Sequence, residues 1–319
     1  MVIESETFVP PMNPDKEARI NAELDKYFKT NTVLASSSDF RFDALQSVGF
    51  RDVASTPMDN DAEKALVLRL LEDRKYNFRV SGSSLEQISL AEDVARGKVE
   101  HILESSPNLS DSIVVAADTV VESATPVINP SSGDFIGTKV EYLLKPADVE
   151  EVKINLISLF ENIVASFRFL SNDLVESYKS GEEVENNDAI QHNFKLTNDA
   201  VLWTYLRVNT GIAMKFPGEP TIQTINSSIY LLSKKLADIA SSKNDQDVEA
   251  VVDELLEMMK QKNIDPQNIA GGLDYSDPDI RCILDIEEVG YIKPEAGIYS
   301  GLPKDALQKY LQDKVAGQV

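Results

Sequence analysis

Ser36, Ser37, Ser38 and Asp39, followed by Arg41, stand where a short apolar run, Val33-Leu34-Ala35, gives way to Phe42, Leu45 and Val48 at helical spacing. That order reads as strand, polar turn, helix. Such a turn presents backbone N–H groups at the positive end of a helix dipole, and the serines add hydroxyl donors without bulk. Arg41, one turn in, adds a planar fork suited to phosphate oxygens. An anion cradle is the chemistry on offer, and the alternative is an ordinary N-cap made by Ser38 or Asp39. Asp39, an anion in the turn, counts against phosphate.

The second candidate is Asp118. It follows Ile113-Val114-Val115-Ala116-Ala117, the strongest buried-strand signal in the chain. In open α/β sheets ligands bind beyond the carboxyl ends of strands, where Asp118 would project. A carboxylate there is costly unless it is paired, bound to metal or solvated in a cleft. The plainer reading is a turn cap.

The elements that must position these groups follow from periodicity. Helices are expected over 15–27, with Ile20 and Leu24 inward, over 60–72, and over 85–103, with Leu90, Val94 and Ile102 as its stripe. Lys98 lies in the last of these, and a lone helix lysine reads as a solvated side chain. Short strands are expected at 50–54 and 76–80, and a longer one at 112–123. Further on, 228–240 and 248–262 read as helices. Val248, Val251, Val252, Leu255 and Met259 give the second an apolar face, read as core packing ahead of partner docking. Residues 265–278 read as a loop, and 1–14 as a loosely docked tail. Apolar strands alternating with amphipathic helices over 32–160 predict an α/β domain.

Composition sets bounds. With 42% hydrophobic and 26% charged residues over 319 positions, the chain can bury a sizeable core as one domain with insertions, or as two. A net charge of -22 disfavours binding to a nucleic-acid polymer or an anionic membrane. It leaves room for a small anionic substrate, because exposed charge is screened beyond about 8 Å. One cysteine and two histidines exclude an intramolecular disulfide and disfavour a Cys/His zinc site, so a metal here would be held by oxygen. The acidic, proline-bearing start is unlike a signal peptide, and no apolar run approaches the about 20 residues that span a bilayer. A cytoplasmic location is the resulting expectation.

The segment LASSSDFRFDAL resembles the opening signature of the Maf-like nucleotide pyrophosphatases, with Leu34, Ala35, Ser36, Ser38, Arg41 and Leu45 matching and Asp39 and Phe40 departing from the family's proline and first arginine. Ala117-Asp118-Thr119-Val120-Val121 reproduces a second block of that family. Lys98 matches its helix lysine, and Lys145-Pro146 before an acidic helix start matches its lysine-proline pair. Residues 297–311 resemble its closing strand, turn and helix.

The resemblance implies a mixed central sheet flanked by helices, with a cleft between two lobes, as in inosine triphosphate pyrophosphatase. It implies an extension over 1–30 and a domain over 31–319 with insertions around 160–200 and 225–265. The implied activity is hydrolysis of a nucleoside triphosphate to monophosphate and pyrophosphate with Mg2+ or Mn2+, in cleansing of the nucleotide pool. Asp118 would hold the cation and direct the attacking water, and Asp59 lies near a family acid that joins the metal site. Ser36, Ser38 and Arg41 would cradle phosphates, with Lys98 and Lys145 offsetting charge. Two registers compete for the family's later glutamine. One takes residues 166–183 as a family segment and makes Gln191 a nucleobase or phosphate contact. The other takes Asn209–Ala213 as a threonine-glycine strand and puts Ser276 near the glutamine. Related proteins often form homodimers. A binding module without turnover, and an acidic interaction protein using the extra helices, are the alternatives.

Overall fold

In a computed structural model, residues 14–75, 90–128, 135–143, 145–146, 148–179, 204–242, 248–266, 269, 272–275, 277–289 and 303–317 are described. The chain runs α1 (Pro14–Lys29), β1 (Thr32–Leu34), α2 (Asp39–Val48), β2 (Val53–Ser55), α3 (Asn60–Lys75) and α4 (Leu90–Ser105). It continues as β3 (Ile113–Ile128), β4 (Phe135–Leu143), α5 (Val149–Lys179), β5 (Tyr205–Lys215) and β6 (Gln223–Ser233). Helices α6 (Lys234–Ser241), α7 (Val248–Gln261) and α8 (Pro278–Ile283), strand β7 (Ile286–Val289) and helix α9 (Pro303–Val315) complete it.

Seven strands form one mixed sheet in the order β2-β1-β3-β5-β6-β7, with β4 also paired to β3. β1 is parallel to β2 and β3, and the other pairings are antiparallel. The fold is α/β, with helices on both faces of the mixed sheet.

β3 organises the rest. One of its edges pairs with β5 from Val114 to Glu122. The opposite edge is shared: β1 takes Ile113 to Val115, and β4 takes Val121 to Ile128. The sheet therefore forks, and between Val115 and Val121 that edge has no strand partner among the described residues. Asp118 sits in the middle of the gap.

Alternation along β3 assigns its two faces. Val114, Ala116 and Val120 pack with Ala95, Val99, Val94 and Leu66 of α3 and α4, so Asp118 shares the α4 face. Ile113 and Val115 join Leu24, Leu45, Phe216 and Leu307 under α1, α2 and α9. Further along the same opposite face, Val121 joins Leu156, Phe160, Leu206 and Leu255 under α5 and α7. Burial pushes the phenol of Tyr275 in this last cluster upward in pKa.

α4 lies unusually close to the sheet. A Cβ on Gly211 of β5 would stand 2.2 Å from the Glu92 nitrogen and 2.3 Å from the Ala91 carbon, so only glycine lets the first turn of α4 cross there.

Several expectations shift. Residues 228–233 belong to β6, not to a helix, because Ile229 and Leu231 alternate into the core and the strand pairs with β5 along its length; the helix starts at Lys234, capped by Ser233. β3 runs to Ile128 because its hairpin with β4 extends it. The strand expected at 50–54 is centred on 53–55. The apolar face of α7 is used in packing against α5, burying Val251, Val252, Leu255 and Met259. The strand expected at 76–80 lies outside the described residues.

Gly211→Ala is expected to lower unfolding free energy by about 2–4 kcal/mol, because the backbone of α4 has to retreat. The urea midpoint measures this, and an unchanged midpoint would show that α4 does not depend on the close crossing.

Candidate active site

The serine turn closes the carboxyl end of β1. Ala35 N–H still donates to Val115 O at 2.8 Å, and Ser55 Oγ donates to Ser36 O at 2.5 Å, which ties the turn to β2. Ser38 is the N-cap of α2, its Oγ accepting from Arg41 N–H at 3.4 Å. Ser36 Oγ accepts from Ser38 N–H at 3.2 Å and from Arg41 Nη1 at 3.1 Å. A hydroxyl has two lone pairs and one proton, so Ser36 keeps its O–H as a donor. Asp39 is exposed in the first turn of α2, where its charge complements the helix dipole.

Asp118 is 7% exposed, and Lys98, on α4, is 2% exposed. Lys98 Nζ donates to Asp118 Oδ1 at 2.8 Å and to Glu63 Oε1 of α3 at 3.0 Å. Arg41 Nη2 lies 3.8 Å from the same Asp118 oxygen. Three elements thus meet at Asp118: the serine turn and α2 bring Arg41, α4 brings Lys98, and α3 brings Glu63. Two cations face two carboxylates, and the cluster carries no net charge when all four are ionised. Asp118 Oδ2 and Glu63 Oε2 accept no hydrogen bond from described residues, which leaves them for water, a cation or substrate.

The solvated reading of Lys98 fails for a physical reason. It stands four residues from both Val94 and Ile102, so it shares their inward stripe and must be neutralised where it lies. Glu63 was missed, although the same signal marks it: it falls three and four residues before buried Leu66 and Val67. Two opposite charges on the apolar stripes of successive helices are a pairing signal.

Of the residues singled out in the sequence, Ser36, Ser38, Arg41, Lys98 and Asp118 come together. Asp59 is exposed and caps α3, its Oδ1 accepting from Asp61 N–H at 2.9 Å and from Ala62 N–H at 3.3 Å. Lys145 is exposed between β4 and α5. Gln191 and Ser276 lie outside the described residues. Asn209–Ala213 form part of β5 beside Asp118, whereas residues 166–179 of the other register continue α5. Thr119 and Thr210 share a hydrogen bond of 3.1 Å between hydroxyl oxygens across that pairing.

The group fits a hard, oxygen-ligated cation. Mg2+ binds through one or two carboxylates, keeps several waters and shares substrate phosphates, which needs neither histidine nor a closed cage. Asp118 and Glu63 each hold one uncommitted oxygen, and their other oxygens share Lys98 Nζ. Among the described residues there is no group of three or more His, Cys, Asp or Glu side chains suited to a metal, and no helix long and apolar enough to cross a membrane.

A double-mutant cycle of Lys98→Met with Asp118→Asn is expected to give a coupling free energy of about 1–3 kcal/mol in urea unfolding. Lys98→Met alone strands a buried carboxylate, and Asp118→Asn removes that penalty. Additive effects would mean the pair is not coupled.

A family model described as Maf-like protein matches residues 31–230, which includes the serine turn, Glu63, Lys98, Asp118 and strands β1 to β5. No curated protein matches the chain.

Proposed function

The chain belongs to the Maf-like protein family, and we propose that it hydrolyses nucleoside triphosphates between the α- and β-phosphates, as a cytoplasmic enzyme that clears non-standard or pyrimidine nucleotides. Proteins of this family generally bind nucleotides and act as divalent-cation-dependent pyrophosphatases. The observation that carries the reading for this chain is Asp118, held in the fork of the sheet beside Lys98, Arg41 and a serine hydroxyl with a proton to give.

The triphosphate lies against the serine turn. Ser36 donates its O–H to a phosphate oxygen, Arg41 presents its guanidinium, and the start of α2 adds its dipole. Lys98 offsets charge that grows on the bridging oxygen as the bond breaks. Asp118 accepts a hydrogen bond from the attacking water and takes its proton. The water oxygen bonds to phosphorus, the α–β bridging P–O bond breaks, and a monophosphate and pyrophosphate leave. Mg2+ or Mn2+, held by Asp118, would supply charge neutralisation and a more acidic water. No covalent enzyme intermediate is required.

Asp39 is compatible with this reading because it caps the dipole from the exposed side of α2. The interaction-protein alternative loses its main support, since the apolar face of α7 packs within the chain.

The test is pyrophosphate release by the purified chain with Mg2+ or Mn2+ across standard and modified nucleoside triphosphates. Release is expected for a subset, with Asp118→Asn lowering kcat/KM by about a hundredfold or more and Ser36→Ala by about tenfold. No release from any triphosphate by folded protein would overturn the enzymatic reading in favour of a nucleotide-binding module.

A further inference from the structure

We propose that Lys98 is a built-in counter-cation, which holds Asp118 and Glu63 together in the free protein and gives them up to the divalent ion. The inference rests on the metal-dependent reading above and concerns how the cation is admitted.

Three observations carry it. Lys98 Nζ lies 2.8 Å from Asp118 Oδ1 and 3.0 Å from Glu63 Oε1, so one ammonium bridges two carboxylates from different elements. The ammonium is almost completely buried, at 3% side-chain exposure, while Glu63 is 28% and Asp118 9% exposed. Solvent therefore reaches the carboxylates more readily than the ammonium. Third, each carboxylate keeps an oxygen with no hydrogen bond from described residues, so each has a lone-pair site open to a cation while Lys98 is still in place.

Electrostatics then set the order of events. With Lys98 and Arg41 in place the cluster is neutral, and a divalent cation entering alone gains little attraction. Its arrival would leave the cluster with two excess positive charges, which the phosphates of a nucleotide offset. Lys98, released from the carboxylates, is already beside those phosphates. The same ammonium thus keeps two acids apart from bulk cations in the free protein and meets the substrate once they are claimed. Glu63 is the second carboxylate in this exchange. Asp59 has its Oδ1 committed to the first turn of α3.

The probe is Mn2+ alone, with free ion followed by electron paramagnetic resonance in nucleotide-free full-length protein. Lys98→Met is expected to bind Mn2+ about tenfold more tightly than the unmodified chain, or better, because a competing charge is gone. Adding Glu63→Gln to that variant is expected to abolish the gain. Equal or weaker binding by folded Lys98→Met, or a gain that survives Glu63→Gln, would overturn the proposal.

A second measurement needs no variant at Lys98. Acylation of its amine, followed by mass spectrometry and referenced to exposed Lys260, is expected to rise about tenfold with saturating Mn2+ as the ion pairs open. An unchanged rate would equally overturn it. Neither readout requires turnover. Tight Mn2+ binding by Lys98→Met, with no pyrophosphate release by the unmodified chain, would remove the reaction and leave the exchange standing. Release with unchanged Mn2+ affinity would remove the exchange alone.

Discussion

Burying a carboxylate on the inner side of a sheet is costly without a partner of opposite charge, and Asp118 makes that demand within the longest described strand. Lys98 answers it from α4, and the answer fixes much else. For the ammonium to reach Asp118, α4 must lie close over β3 and β5, and Gly211 permits the contact by having no side chain. For Lys98 to be buried without excess charge, α3 must bring Glu63 to its other side. Two helices and two strands are therefore arranged around one pair of opposite charges. The core residues Val94, Val99, Val114 and Val120 around it supply the burial that makes the pairing necessary.

The overall charge of the chain and the chemistry of the site point in opposite directions without conflict. A net charge of -22 is distributed over surfaces that water and salt screen. The turn at Ser36–Ser38 presents hydroxyls and the N-terminal end of α2, with exposed Asp39 on its outer side and the balanced cluster of Arg41, Lys98, Asp118 and Glu63 on its inner side. An anionic substrate meets a local environment unlike the average, which is why excess acid argued against polymeric nucleic acid and membranes yet left small phosphates open.

The sequence made the end of β1 and the place of Asp118 legible because each has the simplest possible signature, an apolar run interrupted by polar residues, although β3 continues past Asp118 to Ile128. The order of α/β elements followed from the same periodicity. What stayed hidden was pairing across distance. Lys98 and Glu63 are thirty-five positions apart, and each looks like an ordinary surface charge until its place on an apolar stripe is counted. Strand β6 was mistaken for helix from Ser228 onward because leucines and isoleucines at mixed spacing suit either period. Pairing with β5, a tertiary fact, decided it. The family resemblance points to Asp59 as a metal-site acid, while the first turn of α3 uses its Oδ1 as a cap.

β3 is one continuous strand, yet its outer edge belongs to β1 at one end and to β4 at the other. Its backbone is therefore the common reference frame of both halves of the molecule. If the hairpin of β3 and β4 swings relative to β1, the gap between them changes width while the carboxylate at its centre keeps its position on the shared strand. The carboxylate is then indifferent to how wide the gap stands. Changes in the hairpin or the serine turn therefore alter the size and shape of the gap without moving the carboxylate at its centre.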